Sequence, residues 1–419
     1  MIKLKNLEFG SLPPNWKNEK ILNICDIFSG GTPSTKISEY WNGNTPWLSS
    51  GETRNNFILE TEKKITQLGV KNSSTRLAKK QDIVIASAGQ GNTRGQVSLC
   101  LIDTYVNQSV LVLRANKEKI IPEFLFYNLK SRYDELRRIS DSYSSRGSLP
   151  KSLLVILEIP LPPLLIQQKI ASNLFALDSL IQNLQKQNKI LEQIIQSIFK
   201  SWFIDFEFLN EDGKSYKSFG GEIVYNEEYG KEIPKGWEVS NIDKEFNLVM
   251  GQSPPGKSYN QIGDGIAFFQ GRTDFGHRFP SVRMFCSEPS RFAKKGDTLI
   301  SVRAPVGDVN LALYDCCIGR GLSAIRHKSD SLSYTYYIML NLKPIFDNFE
   351  SEGTVFGSIN KTSFEQIKIL APAKNIVSLF EKIVNPIDKK IEDNAQQIQT
   401  LSKIRDFLLP KLMSGDIRV

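Results

Sequence analysis

Histidine and cysteine are scarce in this chain of 419 residues, with two of the first and five of the second. Only His277 and His327 are available, and neither sits at ligand spacing. A histidine-built metal centre and histidine-dependent acyl transfer therefore have no support. Cys25, Cys100, Cys286, Cys316 and Cys317 form no CxxC pair, and their odd number and adjacent pair point to reduced thiols in a cytoplasm. Long apolar runs are missing too. The longest, residues 153–166, is interrupted by Glu158 and three prolines, which rules it out as a membrane span. Lys3 and Lys5 are followed by no apolar stretch, so no signal-peptide pattern opens the chain. There is no GxxxxGK[ST] run, and the glycine-rich stretch from Gly89 to Gly95 reads as a loop. Phe28-Ser29-Gly30-Gly31 faintly suggests a methyl-donor loop, but no Asn/Asp-Pro-Pro-aromatic tetrapeptide accompanies it. Glu62-Lys63-Lys64 is a nuclease-like ExK triplet without an upstream metal aspartate. These absences describe a binding protein and not a catalyst.

What is present is a sequence written twice. Pro13, Trp16, Ile21, Gly30, Pro33 and Lys36 recur 221 positions later as Pro234, Trp237, Ile242, Gly251, Pro254 and Lys257. The offset falls to 215 between Leu77 and Phe292, to 212 around Gly95 and Gly307, and to 210 from Gly147 and Gly357 onward. A repeat of about 200 residues is long enough for each copy to bury its own core. The net charge of +8 is uneven: residues 1–150 carry +7, whereas residues 221–365 carry −2. The basic first copy suits a polyanionic partner. The second needs locally clustered Arg and Lys to do the same.

Each copy opens with Pro-x-x-Trp and a turn of the form G-x-[TS]-P-x-x-K, where the glycines supply backbone angles closed to other residues. An aromatic segment follows, then a polar loop, Ser49–Arg54 in one copy and Gln270–Asp274 in the other. Short β-rich runs come next, at 82–87, 96–102 and 109–114, with counterparts at 297–302, 308–314 and 321–326. Between the first two lies a second polar loop, containing Gln90, Asn92 and Arg94 or Arg303. Helices are predicted at 122–139 and 333–349. The fold class is α+β, with two similar sheet-containing domains.

Each copy ends in a long helix. Ile170, Leu174, Leu177, Ile181, Leu184, Asn188, Leu191, Ile195 and Ile198 step by four and three. Phe380, Val384, Ile387, Ile391, Asn394, Ile398, Leu401, Arg405 and Leu408 keep the same rhythm. Asn188 occupies an a position and Asn394 a d position, so the two meet only if the helices run in opposite directions. That register sets Leu191 against Ile391 and Ile195 against Ile387, and leaves Leu177 facing a snorkelling Arg405. An intramolecular antiparallel coiled coil with pseudo-twofold symmetry is expected, its register fixed by Asn188 and Asn394. Pro386 inside the second helix is expected to cost about 3 kcal/mol or to kink it, a restart capped by Asn385 being one way to break there. The alternative is that each helix packs on its own domain.

The order of these features resembles the specificity subunit of type I restriction–modification enzymes over essentially the whole chain. The resemblance rests on Trp16…Gly30-Gly31-Thr32-Pro33, Lys79-Lys80-x-Asp82, Arg146-Gly147-Ser148, and Ile159-Pro160-Leu161-Pro162-Pro163 followed by Gln167-Gln168-x-Ile170-Ala171. The family usually has Glu-Gln where this chain has Gln167-Gln168, and the second copy, with Ala371-Pro372-Ala373, has no Gln equivalent. The resemblance implies target-recognition domains at 1–163 and 221–373, a central helical spacer at 164–220 and a C-terminal one at 374–419. Each domain would read half of a bipartite double-stranded DNA target. Two methyltransferase (modification) subunits would dock on the helices, and restriction/translocase subunits would join them. S-adenosylmethionine, ATP and Mg would bind those partners, none binding this chain, and the location would be cytoplasmic.

Base readout needs hydrogen-bonding side chains on protruding loops. The candidates are Arg54, Gln90, Asn92 and Arg94 in the first copy and Gln270, Arg272 and Arg303 in the second. Thr32, Lys36, Ser253 and Lys257 recur in both copies, so they suit phosphate, which looks the same everywhere. A helix pair of about 29 residues is about 43 Å long at 1.5 Å per residue, against about 34–36 Å for one turn of DNA. Two other readings stay open: a self-contained DNA methyltransferase or nuclease with a diverged site, and a coiled-coil scaffold.

Overall fold

The computed structural model describes residues 12–89, 91–143, 147–351 and 357–419. The chain divides into two compact units, Met1–Gln182 with Gln399–Val419, and Asn183–Ile398.

In the first unit a five-stranded sheet runs in the order Cys25–Ser29, Val110–Ala115, Ile83–Ala86, Val97–Cys100, Phe57–Ile58. A four-stranded sheet holds Lys63–Ile65, Trp41–Leu48, Thr104–Val106 and Arg76–Ala78. The strand Ile83–Ala86 is buried along its whole length, as expected for an apolar run covered on both faces. In the second unit a four-stranded sheet runs Phe246–Met250, Leu322–His327, Thr298–Val302, Val306–Leu311. A five-stranded sheet there includes Ile266–Phe269 and Cys316–Ile318. The ladders repeat in register. Lys17 pairs with Leu161 and Glu238 with Ala371, while Cys25 pairs with Ala115 and Phe246 with His327. The two-stranded ladder joining Lys17–Lys20 to Glu158–Leu161 brings the start of the first domain beside its end, where the long helix begins.

The predicted helices each resolve into two. Pro122–Ser131 and Tyr133–Tyr143 flank Arg132, whose buried guanidinium donates to the Glu158 carbonyl (2.7 Å) and so turns the chain. Leu332–Asn341 and Lys343–Ser351 repeat the break, with Pro344 now in the second helix.

The long helices span Leu164–Phe199 and Lys374–Ser414. The second helix does not break at Pro386, because buried Val384 and Ile391 on either side hold the apolar face in place. The central helix ends at Phe199 and passes through a wide turn, Lys200–Ile204, so residues 205–220 of the expected spacer are not helical. Both units show the helices running in opposite directions. In the first, Ile170 and Leu174 share a core with Leu409, Leu412 and Met413. In the second, Ile195 and Phe199 share one with Phe380, Val384 and Ile391. Asn394 donates to the side-chain oxygen of Asn188 at 2.8 Å, and Asn188 donates to the Ile391 carbonyl at 3.2 Å, as the register required. Arg405 does not snorkel beside Leu177. It pairs at 2.7 Å with Asp178, which is 1 % exposed. The alternative that each helix packs only on its own domain is set aside: Leu409, Leu412 and Met413 complete the first domain's core, and Phe199, Trp202 and Phe203 complete the second's.

Candidate nucleic-acid interface

Four loops of each domain converge on one rim. In the first domain the Gly31 amide donates to the Val106 carbonyl (3.0 Å), and Val106 lies beside Leu48, the residue before the 49–54 loop. Asn107 donates to Leu48 (3.1 Å), and Ser87, at the base of the second polar loop, donates to Ser109 (2.8 Å). The second domain repeats the pattern. Gly319 donates to Phe269 (2.8 Å), Gly321 to Gln270 (3.2 Å), Gly251 to Leu322 (2.9 Å) and Val302 to Gly321 (2.9 Å).

The recurring glycines serve space and not angle. A Cβ on Gly30 would lie 1.9 Å from the Val106 carbonyl oxygen, and one on Gly251 2.2 Å from that of Gly319. Both turns press against the strand end that carries the rim. Within each first loop a buried acid, Glu52 or Asp274, gathers main-chain amides. Ser49 and Glu62 donate to Glu52 (2.9 and 2.8 Å), and Gln270 donates to Asp274 (2.8 Å). Carboxylates bonded in this way hold the loop in one shape.

Most of the candidate side chains are on this rim. Lys36, Arg54, Asn92, Lys257, Gln270, Arg272 and Arg303 are exposed, and Thr32 and Ser253 are half-buried. Arg54 pairs with Glu62 at 3.1 Å and Arg272 with Asp308 at 2.7 Å. Gln90 and Arg146 lie outside the described residues. Arg94 departs from the expectation. Its side chain is 7 % exposed, bound to Asp141 and packed against Gly147, so it braces the loop from beneath. Arg137 and Tyr133 reach the carbonyls of Gly91 and Asn92 (2.8 and 2.9 Å), which pins the same loop to the helix Tyr133–Tyr143.

Sequence reasoning missed two exposed residues of the rim. Gln108 and Arg320 are 212 positions apart and both exposed. Thr32 bonds Gln108, and the Arg320 amide donates to Ser253 at 3.4 Å. Their signal was available: they sit at the local repeat offset of 212 and differ in side chain. The second domain, despite its net charge of −2, gathers Lys257, Arg272, Arg303 and Arg320 here.

The sequence profile of the type I restriction modification DNA specificity domain matches residues 13–193 and 234–403. A type I restriction enzyme specificity subunit of Methanocaldococcus jannaschii, MjaIX, is 32 % identical over 440 residues, covering 100 % of this chain and 97 % of its own. The HindI specificity subunit of Haemophilus influenzae is 25 % identical over 436 residues, covering 89 % and 94 %. The crystal structure of a type I restriction–modification S subunit from M. genitalium overlays with a TM-score of 0.62 at 18 % identity, covering 96 % and 98 %, a likeness of fold. With two copies of the domain and a full-length relative, the chain belongs to the type I restriction–modification specificity family, the non-catalytic DNA-recognition subunits of their complexes.

Proposed function

We propose that each rim reads one half of a gapped DNA target and that this chain directs the modification and restriction machinery to it. The observation that carries the reading is the rim itself. Both domains bring the same four loops to one edge, keep Lys36 and Lys257 in common, and differ in the side chains between them. Arg54, Asn92 and Gln108 in the first domain, and Gln270, Arg272, Arg303 and Arg320 in the second, face base edges. Lys36 and Lys257, with Thr32 and Ser253, face phosphate. The functional segments are recognition domains at 1–163 and 221–373, with helical arms that begin at residues 164 and 374. Two methyltransferase subunits dock on those helices, where Leu180 and Phe407 in one unit and Ile190 and Ile194 in the other expose apolar surface. S-adenosylmethionine, ATP and Mg belong to the partner subunits. Mapping modified bases in cells that express this chain with its modification partner tests the reading. One gapped motif, modified in both halves, is expected. Arg320→Ala should relax the second half alone, and equal relaxation of both halves would overturn the assignment.

A further inference from the structure

Four residues after the buried acid of each first loop, a polar side chain leaves the rim and reaches a long helix. In the first domain Asn56 donates to Asp178 of the central helix at 3.4 Å. In the second, Arg278 donates to Asp388 of the C-terminal helix at 2.5 Å. Asp178 and Asp388 are 210 positions apart, the offset of that part of the repeat. Each also accepts from a tyrosine at the same offset, Tyr127 at 2.8 Å and Tyr337 at 3.3 Å.

The two joints are charged differently. Asp178 is neutralised by Arg405 on the opposite helix (2.7 Å), and the half-buried Lys130 bonds Asn56. Asp388 is neutralised by the loop residue itself. Arg278 is 3 % exposed, lies over the Tyr336 ring, donates to Tyr337 (2.7 Å) and approaches Glu192 at 3.6 Å. Burial opposes the guanidinium charge, and Asp388 with the tyrosines holds it well above its ordinary range. Burying this much charge is unfavourable unless every partner stays in place, so the joint admits one arrangement of loop and helix.

We infer that Asp178 and Asp388 are positioning residues, each locking its domain's first recognition loop to the helix on which that domain is mounted. The inference rests on the proposed assignment of that loop to base reading. Loss of one lock loosens the aim of its own loop and leaves the other domain's loop untouched.

The test uses the chain assembled with its modification partner and a panel of single-base changes in both half-sites. Asp388→Asn should cut discrimination in the second half by about tenfold, the scale of one good base contact, with the first half unchanged. Asp178→Asn should do the converse. Arg278→Lys, which keeps the charge, should recover part of what Arg278→Met loses. Should Asp388→Asn fail to fold, Tyr337→Phe removes one bond from the same carboxylate and should produce a smaller loss in the same half. Arg272→Ala separates the two ideas. If it leaves the second half fully discriminated, the loop is not the reader and the proposed function fails. If it relaxes that half while a folded Asp388→Asn or Tyr337→Phe does not, the lock is overturned.

Discussion

At the scale of single residues, the structure separates exposed cations of the rim from buried ones that hold loops up. Arg94 is of the second kind, and its carboxylate partner Asp141 is half exposed, which moderates the cost of breaking the pair. Arg94→Ala should lower stability by about 1–3 kcal/mol, measured by urea titration. Lys36 and Lys257 are of the first kind, being exposed and shared by both domains. Replacing both with Ala should weaken binding evenly across sequences and flatten the plot of log affinity against log salt by about 2; an unchanged slope would remove them from the phosphate contacts. His327 gives the chain a pH response. It accepts from the Ser329 amide (3.2 Å) and packs against Phe246 and Tyr334; burial pushes its pKa below the ordinary 6.5, against the pull of Glu245. The unfolded chain therefore takes up this proton first as pH falls. Stability should decline as pH drops through 6.5 and level off below the folded value, with no contribution above 6.5. Urea titrations across that window should show the decline, and His327→Gln should flatten it.

Among the elements, the helix pair was the most legible, because heptad spacing fixes which residues face inward and the two asparagines fix register. Asn394 is fully buried, and its side-chain oxygen has no partner among the described residues. Asn394→Leu should raise stability by about 1 kcal/mol and speed amide exchange near Ile391 as the register loosens; unchanged stability and exchange would sink the pairing. The strands at 83–86 and 298–302 were legible as short apolar runs between turns. The break at Arg132 was not, since its cause is a carbonyl 26 residues away at Glu158. Nor was the intact helix through Pro386, where tertiary packing overrides a local penalty of about 3 kcal/mol. Gln108 and Arg320 escaped notice because each lies in a short turn just before an apolar strand that dominates the pattern. The glycine turns were located correctly but misread, since the constraint is a neighbouring carbonyl and not a backbone angle. Gly30→Ala should accordingly displace Val106 and disturb the rim, visible as lost DNA affinity beyond any loss of folded protein.

For the whole molecule, the repeat pointed to two domains, and motif order, duplication and the paired helices to the family, whereas nothing in composition showed that the less basic domain would concentrate four exposed cations on one edge. That concentration depends on sheet topology, which brings residues 257, 272, 303 and 320 together from four separate loops. The first domain's core has a further property: it is finished by Leu409, Leu412 and Met413, near the far end of the chain. During synthesis on the ribosome the first domain therefore stays unsealed until residues 409–413 have been made. A transcript or cleavage product ending before residue 409 would leave that apolar surface open, a fit substrate for chaperones and proteases.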